Sequence, residues 1–150
     1  MKSILNQKNI IVNNKSCDKE TILKKIGSVL QDSGYCTSSY AQGILEKEKV
    51  FNTYIGNEVA IPHGIESVRN EVISTGIVVM TFPDGVNWGS GNTAKLVIGI
   101  AAKEDEQVDV LAHIAVTCME LDNVEKIVHS SAEEIKSIFS SELDADSNVI

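Results

Sequence analysis

His63 is the residue of this chain whose type and setting are best suited to chemistry. It follows Ile61-Pro62 at the end of an apolar segment and is followed by Gly64. Proline fixes the backbone ahead of the imidazole, and glycine allows the backbone behind it to turn and approach a ligand. A neutral imidazole is a nucleophile near pH 7. The motif predicts a stiffly mounted nucleophile at a sheet edge, and its short length leaves a turn histidine without chemistry as the alternative.

Other catalytic and metal-binding patterns are missing from the sequence. His63, His113 and His129 lie far apart with no carboxylate or thiolate at ligand spacing, so we predict no metal and no cofactor. Residues 89–91 lack the Gly-Lys-Ser/Thr of a P-loop, and no Gly-x-Ser-x-Gly elbow occurs. Cys118 falls on an apolar helical stripe, which favours a buried structural thiol over a nucleophile.

The size and charge of the chain limit the classes of protein to which it can belong. The chain has 150 residues, 43% of them hydrophobic, which is enough for one domain with its own core. Its formal net charge of −8 disfavours nucleic-acid binding, because that binding depends on cationic contacts with phosphates. The cysteines at 17, 36 and 118 form no disulfide framework, and the sequence shows no signal or membrane-spanning segment, so we expect a cytoplasmic protein.

Apolar periodicity predicts an α/β chain. Short strands are expected at residues 10–12, 53–55 and 59–61, and near-continuous apolar runs at 76–82 and 95–101 indicate central strands covered on both faces. Helices are expected at about 18–33, 37–49, 106–121 and 131–139, with capping oxygens from Ser16 and Asp18 for the first and a capping box from Ser131 for the last. The order of elements favours a mixed β-sheet between helices, in three α/β/α layers.

Two details of this prediction concern surfaces near the sheet. We interpret the glycine-containing segments 83–85 and 89–92 as a flexible loop, and residues 85–92, which include Trp88, as a mobile edge. On the third helix one apolar stripe is expected to face the core; its members are Val108, Leu111, Ala112, Ala115, Cys118 and Met119.

Four blocks of the sequence, taken together and in this order, are distinctive: residues 46–49, 54–64, 82–86 and 89–101. Together they resemble the type-2 enzyme IIA proteins of the bacterial phosphoenolpyruvate:sugar phosphotransferase system (PTS), the mannitol type most closely. The resemblance extends from about Asn9 to Phe139. It implies a single domain over 1–150, with a core at about 9–140, an acidic tail at 142–150, and a mixed sheet sandwiched by helices.

The resemblance also implies a phosphotransferase with two transfer steps. His63 would take a phosphoryl group from the phosphohistidine of the carrier HPr onto Nε2, and would pass it to a cysteine of the IIB domain of a membrane IIBC component. The result would be uptake of mannitol or a related polyol or hexose, with no direct contact between this chain and the sugar. Such transfers need alignment and charge stabilisation, and an acceptor for Nδ1–H would leave Nε2 free to attack.

Three further residues are implied to stabilise the phosphoryl group: Lys47, Gln107 and Gly64. Lys47 stands where mannitol-type proteins usually have an arginine, and a solvated cation at a helix end is the alternative role for it. Gln107 stands where the family commonly has a second histidine; its amide and the helix N-terminus favour an anion, but it cannot become cationic. His113 lies about 120° around the helix from Gln107 and does not replace that histidine. We expect transfer to be retained but slower or differently tuned.

A regulatory module is the alternative function. IIA-like domains also occur in nitrogen-regulatory phosphotransferase proteins and in operon regulators, where phosphorylation controls a protein partner. The residues at positions 47 and 107 leave this interpretation open. An unrelated α/β domain would require all four blocks to match by coincidence.

Overall fold

A five-stranded mixed sheet forms the centre of the protein in a computed structural model that describes residues 4–139. Its strands are β1 (Ile10–Ile11), β2 (Tyr54–Gly56), β3 (Val59–Ala60), β4 (Gly76–Gly89) and β5 (Asn92–Ala101), in the order β1-β4-β5-β3-β2. β1 is parallel to β4 and β3 is parallel to β5, whereas β4 is antiparallel to β5 and β2 to β3. The mixed sheet is as predicted.

Helices cover both faces of this sheet: α1 (Lys19–Asp32), α2 (Ser38–Val50), α3 (Gln107–Thr117), α4 (Leu121–Val128) and α5 (residues 132–139). Side chains alternate along a strand, so Val78 and Val97 pack with α1 and α2, while Ile77 and Ile98 pack with α3 and α4. Both central strands are thus covered on two sides, as their apolar runs predicted. The tail predicted at 142–150 lies outside the described residues, and the single domain over 1–150 stays a prediction.

Helix caps follow the sequence closely at two places. The Asp18 carboxylate accepts a hydrogen bond from the Thr21 N–H at 2.8 Å and starts α1. Ser131 and Glu134 form the predicted capping box of α5, each side chain accepting from the other residue's N–H. Ser16 is not a cap, because its hydroxyl donates to the carbonyl of Gly85.

The flexible loop predicted from segments 83–85 and 89–92 is wrong except for a turn at Ser90 and Gly91. β4 continues to Gly89, and β5 begins at Asn92 after a tight turn of Ser90 and Gly91, both with positive φ. The pairing of the two strands shifts register between Thr81 and Val86, which accommodates the intervening proline and glycine. Trp88 is 0% exposed, so this end of the sheet is packed and is not a mobile edge.

The predicted buried stripe of α3 is right only in part: Cys118 is buried as predicted and Leu111 packs against the core, but the other four predicted members are exposed. The buried residues are Val110, Ile114 and Thr117, followed by Cys118, whereas Val108 and Met119 are 75% and 68% exposed. The helix is apolar on several sides, so periodicity alone did not distinguish its inner face. α4 was not predicted; its short stripe of Val124, Ile127 and Val128 packs on the same side of the sheet.

Candidate active site

His63 lies just beyond the end of β3, at the sheet edge where β5 also ends. Pro62 and His63 continue alongside β5: the Ile100 N–H donates to the Pro62 carbonyl at 2.9 Å, and His63 pairs with Ile100 in an isolated parallel bridge. Because β3 and β5 are parallel, the segments that follow them leave from the same edge. One carries His63 and the other leads to the first residue of α3.

The imidazole of His63 is oriented by a backbone carbonyl. Nδ1 lies 2.8 Å from the oxygen of Ile61, and the side chain is half-buried. A carbonyl oxygen only accepts hydrogen bonds, so Nδ1 carries the proton in this arrangement and the lone pair is on Nε2. The acceptor that a reactive Nε2 requires is therefore present, two residues before the histidine.

The Gly64 N–H is bound by a tyrosine from α2. It donates to Tyr40 Oη at 2.9 Å, and the same hydroxyl donates to the carbonyl of Ile100 at 2.8 Å. Burial raises the pKa of Tyr40 to about 12, with the hydrogen bond from Gly64 acting in the opposite direction, so the phenol keeps its proton. A Cβ on Gly64 would lie 2.5 Å from Tyr40 Cε1, so this position requires glycine for close packing.

Lys47 lies on the same stripe of α2 as Tyr40 and is joined to the segment after His63. Its Nζ is 2.8 Å from Glu66 Oε1 and 5.0 Å from the centre of the Phe51 ring. The side chain of Lys47 is only 13% exposed, which does not fit a solvated helix-end cation. The hydrogen bond from Lys47 and its charge lower the pKa of Glu66 below the usual carboxyl range.

α2 packs closely against the segment that follows His63. The Ile65 N–H donates to the carbonyl of Gly43 at 3.1 Å, and a Cβ on Gly43 would lie 2.4 Å from Val68 Cγ2. Tyr40, Gly43 and Lys47 have the i, i+3, i+7 spacing of one helix face. One face of α2 therefore supplies the hydroxyl, the close backbone approach and the ammonium at the His63 edge.

Gln107, the first residue of α3, lies at the edge to which His63 belongs. Its N–H donates to the Lys103 carbonyl at 3.0 Å and its side chain is half-buried. No hydrogen bond joins Gln107 to His63 in the part of the chain that the structure describes. His113 lies further along α3, and His129 is exposed at the end of α4.

Sequence reasoning missed Arg69, which is the single arginine of the chain. It lies in the 3-10 helix Glu66–Glu71, directly after the His63 segment. Its Nη1 is 3.7 Å from Glu104 Oε1, and the two residues line a cleft between this helix and the start of α3 together with Lys103. Its charge acts to lower the pKa values of Tyr40 and Glu66. Its position six residues after His63 was the available sequence signal.

Neither a metal-binding cluster nor a membrane-spanning helix occurs within residues 4–139. That range holds no group of three or more His, Cys, Asp or Glu side chains arranged to bind a metal ion. None of its helices combines the length and apolar character needed to cross a bilayer. The reactive group that the site presents is the imidazole of His63, with the Lys47 ammonium and the Arg69 guanidinium on the neighbouring segments.

Comparison with known proteins decides the family. Residues 3–142 match the family described as phosphoenolpyruvate-dependent sugar phosphotransferase system, EIIA 2. The chain belongs to this family. A mannitol-specific phosphotransferase enzyme IIA component from Bacillus subtilis is 41% identical over 87% of this chain and 92% of that protein. One from Staphylococcus aureus is 40% identical over 93% of this chain and 96% of that protein.

Solved structures of the EIIA 2 family share the fold. The IIA mannitol protein of Escherichia coli superposes with a TM-score of 0.82 at 31% identity, covering 89% of this chain and 97% of that one. The E. coli IIA protein in complex with phosphorylated enzyme IIB gives a TM-score of 0.84 at 30% identity, covering 91% and 96% of the two chains. The predicted family and fold class are confirmed, and this EIIA 2 protein is a phosphotransferase that transfers phosphoryl groups in a sugar phosphotransferase system.

Proposed function

We propose that His63 is the phosphoryl acceptor of this chain, that phospho-HPr is the donor, and that a cysteine of a IIB domain is the next acceptor. The observation that supports this assignment is the hydrogen bond from Nδ1 to the Ile61 carbonyl, because it leaves the Nε2 lone pair available at a sheet edge. The alternative of a turn histidine would not need this orientation.

The first transfer can be written with this protonation state. The Nε2 lone pair of His63 attacks the phosphorus of the donor phosphohistidine, and a P–N bond forms as the donor's P–N bond breaks. The donor imidazole leaves with the electron pair of that bond, while the proton of His63 stays on Nδ1 and donates to Ile61. In the second step a cysteine thiolate attacks the phosphorus, a P–S bond forms, and Nε2 recovers its lone pair. The protein supplies alignment and charge stabilisation.

Lys47, Gln107 and Gly64 are proposed to support the phosphoryl group in different ways. Lys47 can turn its ammonium from Glu66, which is 61% exposed and holds it weakly, to a phosphoryl oxygen. Gln107 stands in the first turn of α3, where backbone N–H groups and the helix dipole favour an anion. Gly64 acts through close approach, because its N–H is already bound by Tyr40.

The partners and the sugar are inferred from relatives. The E. coli structure contains phosphorylated enzyme IIB, which supports a IIB domain as the acceptor here. The relatives at 39–41% identity are named mannitol-specific, which supports mannitol or a related polyol or hexose as the transported sugar. We place the chain in the cytoplasm, where HPr and the IIB domain would meet it, with the sugar bound only by the membrane component.

Phosphoryl transfer in vitro tests the acceptor. Phosphoenolpyruvate, enzyme I and HPr are incubated with the wild type, with His63→Gln and with the control His113→Gln, and intact mass is measured before and after acid treatment. We expect the wild type and the control to gain one acid-labile phosphoryl group and His63→Gln to gain none. Labelling of His63→Gln, or no labelling of a folded wild type beside an active IIA, would overturn the proposal.

Onward transfer separates transport from regulation. The nitrogen regulatory protein IIA-Ntr of Neisseria meningitidis shares this fold with a TM-score of 0.73, but at 20% identity it supports the fold alone. We expect the phosphorylated chain to lose its phosphoryl group to a purified mannitol IIB domain. A phosphorylated chain that no IIB domain discharges would favour the regulatory alternative.

A further inference from the structure

The Tyr40 hydroxyl lies between two backbone groups that a parallel β-ladder would join directly. In such a ladder, a residue bridged to Ile100 is followed by an N–H that donates to the Ile100 carbonyl. Here the N–H of Gly64 donates to Tyr40 Oη at 2.9 Å and Oη donates to the Ile100 oxygen at 2.8 Å. The phenol is thus built into the edge of the sheet at the residue next to His63.

His63 is held from both sides by this arrangement. On one side the Pro62 carbonyl accepts a hydrogen bond from the Ile100 N–H at 2.9 Å. On the other side Gly64 is linked to the carbonyl of the same Ile100 through Tyr40. The bond from Nδ1 to Ile61 then fixes the ring relative to a backbone that is anchored before and after it.

We propose that Tyr40 is a positioning residue for phosphoryl transfer, whose hydroxyl fixes the backbone around His63 and thereby the direction in which Nε2 points. This inference rests on His63 being the acceptor. Tyr40 is 4% exposed, and burial of a hydroxyl without hydrogen-bond partners is costly. If the side chain only filled space in the core, phenylalanine would pack equally well without that cost. The hydroxyl instead makes two backbone hydrogen bonds beside His63: it accepts from the Gly64 N–H and donates to the Ile100 carbonyl.

The expected effect is on the rate of the chemical step. Phosphoryl transfer depends on in-line alignment of donor and acceptor, and small displacements of a reacting group lower rates strongly. Removal of the hydroxyl would free the Gly64 N–H and the Ile100 carbonyl without opening a large cavity. The segment that carries His63 would then be less restrained, while the surface offered to the donor protein would be retained.

The test compares Tyr40→Phe with Tyr35→Phe. Tyr35 is a tyrosine of the same core, 2% exposed, whose ring packs against Gly76, whereas the Gly64 N–H donates to Tyr40. Transfer from phospho-HPr is followed in a single turnover over a range of donor concentrations. We expect Tyr40→Phe to lower the transfer rate constant roughly tenfold or more, with little change in the half-saturating donor concentration, and Tyr35→Phe to leave both unchanged.

A second readout does not depend on transfer. Nitrogen-15 NMR of the imidazole reports which ring nitrogen of His63 carries the proton. We expect a single Nδ1–H tautomer in the wild type and in Tyr35→Phe, and a mixture in Tyr40→Phe. Because this measurement needs no donor, it tests the positioning of His63 even if His63→Gln were to show that the acceptor lies elsewhere.

A second variant, Gly64→Ala, tests the same contact in case Tyr40→Phe does not fold. The Cβ of Gly64→Ala would press on the Tyr40 ring and move its hydroxyl away from its two partners. The tyrosine itself would be retained. We expect a mixed tautomer of His63, and this is the deciding readout for Gly64→Ala, because Gly64 is itself proposed to approach the phosphoryl group and its substitution could slow transfer directly. Wild-type transfer with a single tautomer in Tyr40→Phe, or equal slowing by Tyr40→Phe and Tyr35→Phe, would overturn the proposal.

Discussion

Lys47 and Glu48 are neighbours on α2, but their charges serve two different regions of the molecule. Successive residues of a helix point about 100° apart. Lys47 shares the face of Tyr40 and Gly43 and pairs with Glu66 beside the His63 segment. Glu48 points away from that face: its carboxylate lies 2.8 Å from Lys19 Nζ and accepts hydrogen bonds from the N–H and hydroxyl of Thr53.

The two ion pairs differ mainly in how far water reaches the carboxylate. Glu48 is 3% exposed, and its partner Lys19 also donates to the Trp88 carbonyl at 3.1 Å and lies 4.9 Å above that ring. Glu66, the partner of Lys47, is 61% exposed. Breaking a buried ion pair costs much free energy, because the charges left behind are not solvated. Breaking an ion pair whose carboxylate is solvated costs little, because water replaces the lost partner. The same charged run therefore contributes a buried structural carboxylate and an ammonium, that of Lys47, whose partner carboxylate is solvated.

The largest effect on stability is expected from Glu48→Ala. The change leaves the Lys19 ammonium and the Thr53 N–H without their shared partner, so we expect unfolding free energy to fall by about 3 kcal/mol. Urea unfolding measures this, with Glu46→Ala, an exposed carboxylate of the same run, as the control. Transfer per folded molecule is expected to fall less than in Lys47→Ala, because Glu48 reaches the His63 segment only indirectly, through Thr53, whose carbonyl accepts from the Ile61 N–H at 3.0 Å. Comparable losses in Glu48→Ala and Glu46→Ala would remove the distinction between the two regions.

The second prediction concerns Lys47→Ala, which should show the opposite pattern. Loss of the cation that we propose to contact the phosphoryl group is expected to slow transfer from phospho-HPr roughly tenfold. Stability should change by no more than about 1 kcal/mol, because the partner carboxylate is solvated. The control is Lys49→Ala, two residues along the same run and exposed. If transfer were unaffected and stability fell sharply, Lys47 would be an anchor like Glu48.

The smallest effect is expected from Glu66→Gln and depends on pH. The hydrogen bond from Lys47 lowers the Glu66 pKa from 4.5, so its contribution to stability is present above that value and is lost as pH falls through the lowered pKa. Glutamine does not titrate in this range. The stability difference between wild type and variant should thus be largest near neutral pH and should vanish in acid.

Urea midpoints on both sides of pH 4.5 measure this difference, with Glu20→Gln on α1 as a control carboxylate far from His63. A difference that grew as pH fell would contradict the sign of the effect. It would mean that Glu66 is held by something other than its bond to the Lys47 ammonium.

Prediction from sequence succeeded where residues close in the chain decide the outcome. Pro62 and Gly64 indicated a rigid mount for His63, and the cap at Asp18 and the capping box at Ser131 are formed within three residues. The apolar runs at 76–82 and 95–101 became the two central strands. The site residues remain proposals, but the structure brings Lys47 close to the His63 segment through Glu66, and places Gln107 at the same edge.

Prediction failed where the outcome depends on what packs against an element. The glycines of 83–92 are typical of a loop, yet pairing with β5 and burial of Trp88 make this segment a strand. The apolar residues of α3 surround much of the helix, and only the sheet beside it selects Val110 and Ile114 as the inner face.

The mixed sheet, most of its helices and the setting of a histidine between proline and glycine could be predicted from the sequence, because local propensity and capping are set by neighbouring residues. How that histidine is held depends on contacts between segments far apart in the chain. The Tyr40 hydroxyl meets Gly64 across 24 residues and Ile100 across 60, and no local pattern encodes where a phenol will lie after the chain has folded. Contacts of this kind arise from the packing of α2 on the sheet edge, and it is that packing which sets the direction of Nε2.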